Sequence, residues 1–170
     1  MSASLSVKIP FASLEFANHT FNFVLTNAFF QDYGYEGFVS CDLNLNMNVT
    51  REEALMIVRN HFHGHVVVEC DRCLGDLTLP LDFVDVVYVK VGHDDNDDSV
   101  INLTKEEDEV NLSDYVYETV ILALPPVKIH PDDENGISTC DIQQLEILNQ
   151  YHNHGTTDPR WEILKDLKID

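Results

Sequence analysis

An α+β fold is what this 170-residue sequence predicts: a curved antiparallel β-sheet, barrel-like if it closes, with one packed helix and a short C-terminal helix. Two patterns carry the prediction. Long runs of period-two alternation follow one another through the first half, and a single segment of helical period comes after them and stops at two prolines. Strands followed by a helix favour a sheet with the helix laid over one open face or end, and the alternation leaves closure into a barrel open.

The first run is short. Phe21, Phe23 and Leu25 alternate with Thr20, Asn22 and Val24, and Asn27 to Tyr33 makes a helical turn before Gly34. From Val39 to Val49 the alternation is nearly complete, with Val39, Cys41, Leu43, Leu45, Met47 and Val49 on one side and Ser40, Asp42, Asn44, Asn46 and Asn48 on the other. That is a half-buried strand with a wet outer face. After a polar break at Thr50 to Glu53, a second run from Ala54 to Cys70 aligns Met56, Val58, Phe62, Val66 and Val68, opposite Arg59, His61, His63, His65 and Glu69. A third aligns Leu77, Leu79, Leu81, Phe83, Val87, Val89 and Val91, so an antiparallel meander follows, with Cys70-Asp71-Arg72-Cys73 at the tip of its last hairpin.

The stretch from about 92 to 110 is acidic and reads as a mobile connection with a short strand at Val100 to Leu103. Asn111 is placed to cap a helix, with Asp114 three residues on, whose Leu112, Val116, Val120 and Leu124 repeat at helical spacing until Pro125-Pro126 ends it. Residues 125–170 form a loop and tail in which Asp158-Pro159 opens a last helix striped by Trp161, Leu164 and Leu167. A chain of this length is most simply one domain, 1–170. Its start lacks an apolar leader, and no run approaches the ~20 apolar residues of a membrane span, which predicts a cytoplasmic protein with reduced thiols.

In that setting Cys70 and Cys73 point to metal. A C-x-x-C turn lets two thiolates converge at about 2.3 Å from one Zn²⁺. Further ligands are best sought at Cys140 and His130, although nine residues separate them, against the two to four of an ordinary second knuckle. A thioredoxin-like pair belongs at a helix N-terminus, and strands flank this one. Cys41, on an apolar strand face, reads as core packing. His61, His63 and His65 project from one side of a strand, spaced too widely to share one ion, and read as surface groups that titrate near pH ~6.5. No phosphate-binding loop, dinucleotide fingerprint, His-Glu-x-x-His or nucleophile elbow occurs, so no catalysis is expected.

Charge sets the partner class. With 30 acidic residues against 10 basic ones the net charge is −20, and such a field repels phosphate backbones. Naked nucleic acid is therefore not the expected partner; the acidic clusters read as solvated loops, with a surface that shields or captures a basic protein as the alternative. Two rival classes stay open: a metal-dependent RNA-processing enzyme using the histidine triplet, and a sheet or barrel that binds a small ligand.

Taken jointly, Val68-Glu69-Cys70-Asp71-Arg72-Cys73-Leu74, then Tyr117 to Pro125 with Val127 and His130, then Cys140, then Asp158-Pro159-Arg160-Trp161 with Leu164 and Leu167, resemble the YceD-like family, named for accumulation of large-subunit ribosomal RNA. The resemblance implies that Cys70, Cys73, Cys140 and His130 occupy metal-type positions of cysteine-rich members, with zinc as the ion. It implies a non-enzymatic ribosome biogenesis role in 23S ribosomal RNA accumulation, as for bacterial members, through a ribosomal protein or large-subunit precursor particle.

Overall fold

The computed structural model describes residues 6–53, 55–91, 100–103 and 108–152. The expected final helix at Asp158 to Leu167 and the acidic runs Asp94–Asp98 and Glu106–Glu107 lie outside the described residues. Contacts divide the chain into a larger unit, Met1–Glu69 with Asp76–Lys128, and a smaller one, Cys70–Gly75 with Ile129–Asp170. No helix among the described residues is long and apolar enough to cross a membrane.

The larger unit holds β1 (Lys8–Ile9), β2 (Asn18–Thr26), α1 (Asn27–Asp32), β3 (Phe38–Arg51), β4 (Leu55–Glu69), β5 (Asp76–Val91), β6 (Val100–Leu103), β7 (Val110–Asn111) and α2 (Ser113–Ala123). Five of the strands form one sheet in the order β2-β3-β4-β5-β6, antiparallel except for the β5–β6 pair, while β1 and β7 make a separate two-stranded ribbon. The fold is α+β as the alternation predicts. Its sheet is open, with β2 and β6 at the ends, so the barrel option is not realised. Among the described residues only the short β6 lies beyond β5, and closing a barrel needs strands at both edges long enough to pair.

Alternation becomes a core because one sheet face is covered. Leu43, Leu45, Met47 and Val49 of β3 and Met56, Val58, Phe62, Val66 and Val68 of β4 are buried, as are Phe29 and Phe30 of α1 and Val116 and Val120 of α2. Phe62 and Phe83 sit opposite each other in register with rings stacked 4.8 Å apart. Val39 departs from the expected pattern. A bulge between Phe38 and Ser40 shifts the register, turning Phe38 into the core and leaving Val39 half exposed. Cys41 is half-buried and bonds the Leu25 carbonyl, and burial pushes its thiol up to about 12, consistent with an inert packing role.

The apolar register of β4 skips two positions, Asn60 and Gly64, and the structure accounts for both. Asn60 is fully buried and donates its amide to the Tyr115 hydroxyl at 3.3 Å. Gly64 holds φ at +144°, and a Cβ there would lie 2.2 Å from the Asp42 carbonyl oxygen. The N-cap of α2 is Leu112 rather than the expected Asn111, because the Leu112 carbonyl accepts the first helical bond, from Val116; Asn111 stands one residue earlier, its Oδ1 accepting from the Ser113 amide at 3.1 Å, and Asp114 closes no capping box but accepts the Tyr33 hydroxyl at 2.7 Å. That bond and the stacked Tyr33 and Tyr117 rings, 4.4 Å apart, join α1 to α2.

Gly64→Ala removes the close approach and the left-handed backbone together. Denaturant unfolding should show it destabilised by about 2 kcal/mol or more. A loss below about 0.5 kcal/mol would show that the two strands can part at no cost there.

Candidate metal centre

Every candidate ligand lies in the smaller unit. Its first segment, Cys70–Gly75, is a tight turn closed by the Leu74 amide on the Cys70 carbonyl and the Cys70 amide on the Gly75 carbonyl, both at 2.9 Å. Leu74 takes φ = +58°, a left-handed conformation that non-glycine residues rarely adopt, and this lets the chain double back within so few residues. The turn aims backbone N–H groups of Arg72 and Cys73 at the Cys70 sulfur and of Gly75 at the Cys73 sulfur.

The second segment solves the spacing problem. Between His130 and Cys140 the nine residues fold as a small hairpin, bridged between Asp132 and Ser138, in which the Asp133 amide donates to the Ile137 carbonyl at 2.8 Å. Asp133 Oδ1 accepts from the Asn135 and Ile137 amides, both at 2.8 Å, and Gly136 takes φ = +76° at the tip. Thr139 Oγ1 bonds the Pro131 carbonyl at 2.7 Å and draws the two ends together. A long interval in sequence thus becomes a short one in space. The Asn135-Gly136 pair is a turn signal legible in the sequence.

The four donor atoms of Cys70, Cys73, His130 and Cys140 all lie within 4.8 Å of one another, close enough to bind a metal. Cys70 Sγ is 3.8 Å from Cys140 Sγ, and His130 Nδ1 is 3.4 Å from Cys73 Sγ and 3.8 Å from Cys140 Sγ. A tetrahedron with Zn–S arms of about 2.3 Å and a Zn–N arm of about 2.0 Å has S–S edges of about 3.8 Å and S–N edges of about 3.5 Å. These separations fit that donor set, and the sulfur pair is far beyond the ~2.05 Å of a disulfide. All three cysteines are buried and His130 half-buried.

Electrostatics favour the metal-ready form. Burial pushes the Cys70 thiol up, but the amides of Cys73, Arg72 and His130, with the His130 side chain, outweigh it and bring the group down to about 6. The Asp141 and Gly75 amides lower Cys73 in the same way. Cys140 moves the other way: the Ser138 hydroxyl lowers it, while burial and the neighbouring Cys73 and Cys70 sulfurs together raise it. Ser138 also receives the Cys140 amide at 3.3 Å and an Arg72 guanidinium N–H at 3.4 Å, so a cation stands at the rim of a cluster of thiols.

Beyond the hairpin, α3 (Ile142–His152) was not expected from the apolar pattern. Asp141 caps it, its Oδ1 accepting from Gln143 and Gln144 at 2.8 and 3.1 Å, and from Ile142 to Tyr151 only Leu145 and Leu148 are half-buried. The capping residue is the sequence signal; the apolar stripe is too thin to announce a helix.

The histidine triplet does not assemble. His61 Nε2 pairs with Asp82 Oδ1 at 2.8 Å, His63 Nδ1 faces the Asn46 amide at 3.4 Å, and His65 is exposed. Among the described residues only the cysteine–histidine group brings three or more such side chains within reach of one ion.

Fold and site together define a class, an acidic α+β protein with a four-donor thiol–imidazole cluster formed by a tight turn and a hairpin. The family model described as "Large ribosomal RNA subunit accumulation protein YceD" matches residues 58–168, more than half of the chain, and the chain belongs to that family. No curated protein and no solved structure matches it.

In metal-free protein the first thiolate should form with a midpoint near pH 6, detected by its ultraviolet absorbance, because the lowered Cys70 group loses its proton there. Cys70→Ser should move that first step upward. An unchanged titration would assign the low-pKa thiol elsewhere.

Proposed function

We propose that the chain is a non-enzymatic large-subunit ribosome biogenesis factor whose smaller unit is held together by a structural zinc ion. The family assignment supports the ribosomal role. One observation carries the zinc: among the described residues of the smaller unit, the buried side chains are Cys70, Cys73 and Cys140 alone. Where thiols take the place of buried apolar side chains, a bound metal supplies stabilising free energy.

Cys70, Cys73, Cys140 and His130 Nδ1 are the ligands. Four protein donors close a tetrahedral site and leave no position for water or substrate, which is the structural rather than the catalytic form of zinc. Three thiolates, a neutral imidazole and Zn²⁺ sum to one negative charge, which Arg72 at the rim offsets. The His61 and His63 rings lie 5.3 Å apart, but among the described residues no third ligand joins them around one ion, which favours the structural reading over the rival metal enzyme.

The partner is a basic ribosomal protein or a large-subunit precursor particle. A net charge of −20 steers such partners by long-range attraction, and it opposes naked RNA, which needs Lys and Arg to displace its counterions.

Elemental analysis of untagged protein should find one zinc per chain, and Cys70→Ser combined with Cys73→Ser should abolish it. Full zinc retention by that double variant would reject the ligand assignment. Chelation should speed amide exchange in the Cys70–Gly75 and Ile129–His152 segments well before the sheet responds.

For the role itself, proteins and RNA that co-purify at low and moderate salt are to be identified. Large-subunit proteins or precursor particles should dominate, fading as salt rises. Recovery of naked RNA without ribosomal protein, or metal-stimulated RNA cleavage, would overturn the reading.

A further inference from the structure

Beyond β4, the far edge of β5 is paired, among the described residues, only where β6 lies against Tyr88 to Val91. Between Leu81 and Val87 no described strand lies on that side. An open edge of this length offers unpaired amides and carbonyls that another chain can complete.

Two clefts line this edge against α2, and they share Asp85. One, of about 490 Å³, is bounded by Asp85, Ile101, Asp114, Tyr115 and Glu118 among others; the second, of about 320 Å³, by Phe83, Asp85, Thr119, Leu122 and Ala123 among others. The α2 wall from Asp114 to Leu122 rises about 12 Å, and the β5 wall from Phe83 to Val87 spans about 13 Å, so the groove takes three or four residues of extended chain.

Its two ends differ in chemistry. The first carries three carboxylates, and no Lys or Arg lines either cleft. Behind it, Asn60 lies opposite Asp85 in register, wholly buried, with its Oδ1 lacking any hydrogen-bond partner. The second end is apolar, with Leu122 84% exposed beside Phe83. The carboxylates at one end, where Asp85 also accepts the Tyr115 hydroxyl, call for a cation; the exposed leucine calls for an apolar side chain at the other.

We propose that an extended segment of a basic partner protein adds to the open edge of β5 as a further strand, placing a Lys or Arg against Asp85 and Glu118 and an apolar side chain against Phe83 and Leu122. Asp85 and Phe83 are two residues apart and share a face, so the incoming strand must carry its basic and apolar residues two apart as well. Main-chain pairing supplies affinity and the α2 wall supplies selection. The basic character of the partner rests on the ribosomal role proposed above.

The test is fluorescence anisotropy of the full chain with a labelled seven-residue peptide rich in Thr and Val, carrying one Lys and one Leu two positions apart. It should bind saturably, at least about tenfold more tightly than a peptide of the same composition with Lys and Leu adjacent, because adjacent residues fall on opposite faces. Glu118→Lys and Leu122→Glu, both at exposed positions, should each weaken it by at least about tenfold. A peptide with Glu in place of Lys should regain binding to Glu118→Lys. Equal binding of the two peptides, or binding unmoved by both variants, overturns the proposal. The peptide is free of ribosomal material, so such a failure is separable from the outcome of particle co-purification.

Discussion

The larger unit depends on one strand having both of its edges paired. β4 is hydrogen-bonded along nearly its full length to β3 on one side and β5 on the other. One of its faces is buried and the other open, so a slip of a single residue against either neighbour would carry Met56, Val58, Phe62 and Val66 out to solvent together. The register is therefore fixed by burial rather than by turn chemistry. It also fixes where the strands release one another: Glu69 faces Asp76, and the six residues between them must form a tight turn.

The two units are stabilised by different physics. In the larger one, aliphatic and aromatic side chains from strands and helices leave water, and the cost of Asn60 in their midst is reduced by its bond to Tyr115. Among the described residues of the smaller one, only Cys70, Cys73 and Cys140 are buried. Its order comes from backbone amides turned onto sulfur, from side-chain oxygens of Asp133, Ser138 and Asp141 that satisfy local amides, and from the donor cluster itself. Such a unit is assembled around polar atoms, and its stability is tied to whatever neutralises them.

How legible each part was follows from that contrast. Period-two alternation is a direct readout of one-sided burial, so the three long strands and their order could be read from Leu43, Phe62, Leu81 and their neighbours. Val39 was misplaced because a bulge changes the side-chain phase without leaving a mark in composition. The ligand residues were legible as residue types but their proximity was not, because the interval from His130 to Cys140 counts residues and not distance. α3 escaped notice because its residues satisfy a cap more than a core.

The hairpin between His130 and Cys140 separates two properties that a sequence pattern treats as one. Pro131 and Thr139 set the approach of the ligands, whereas the tip from Asp133 to Ile137 only has to turn the chain. Evolution can therefore lengthen or shorten the tip without disturbing the donors, and an engineer can graft a reporter loop there. A search keyed to a fixed interval would discard relatives that share the centre; one keyed to a hairpin of any length bracketed by His and Cys would keep them.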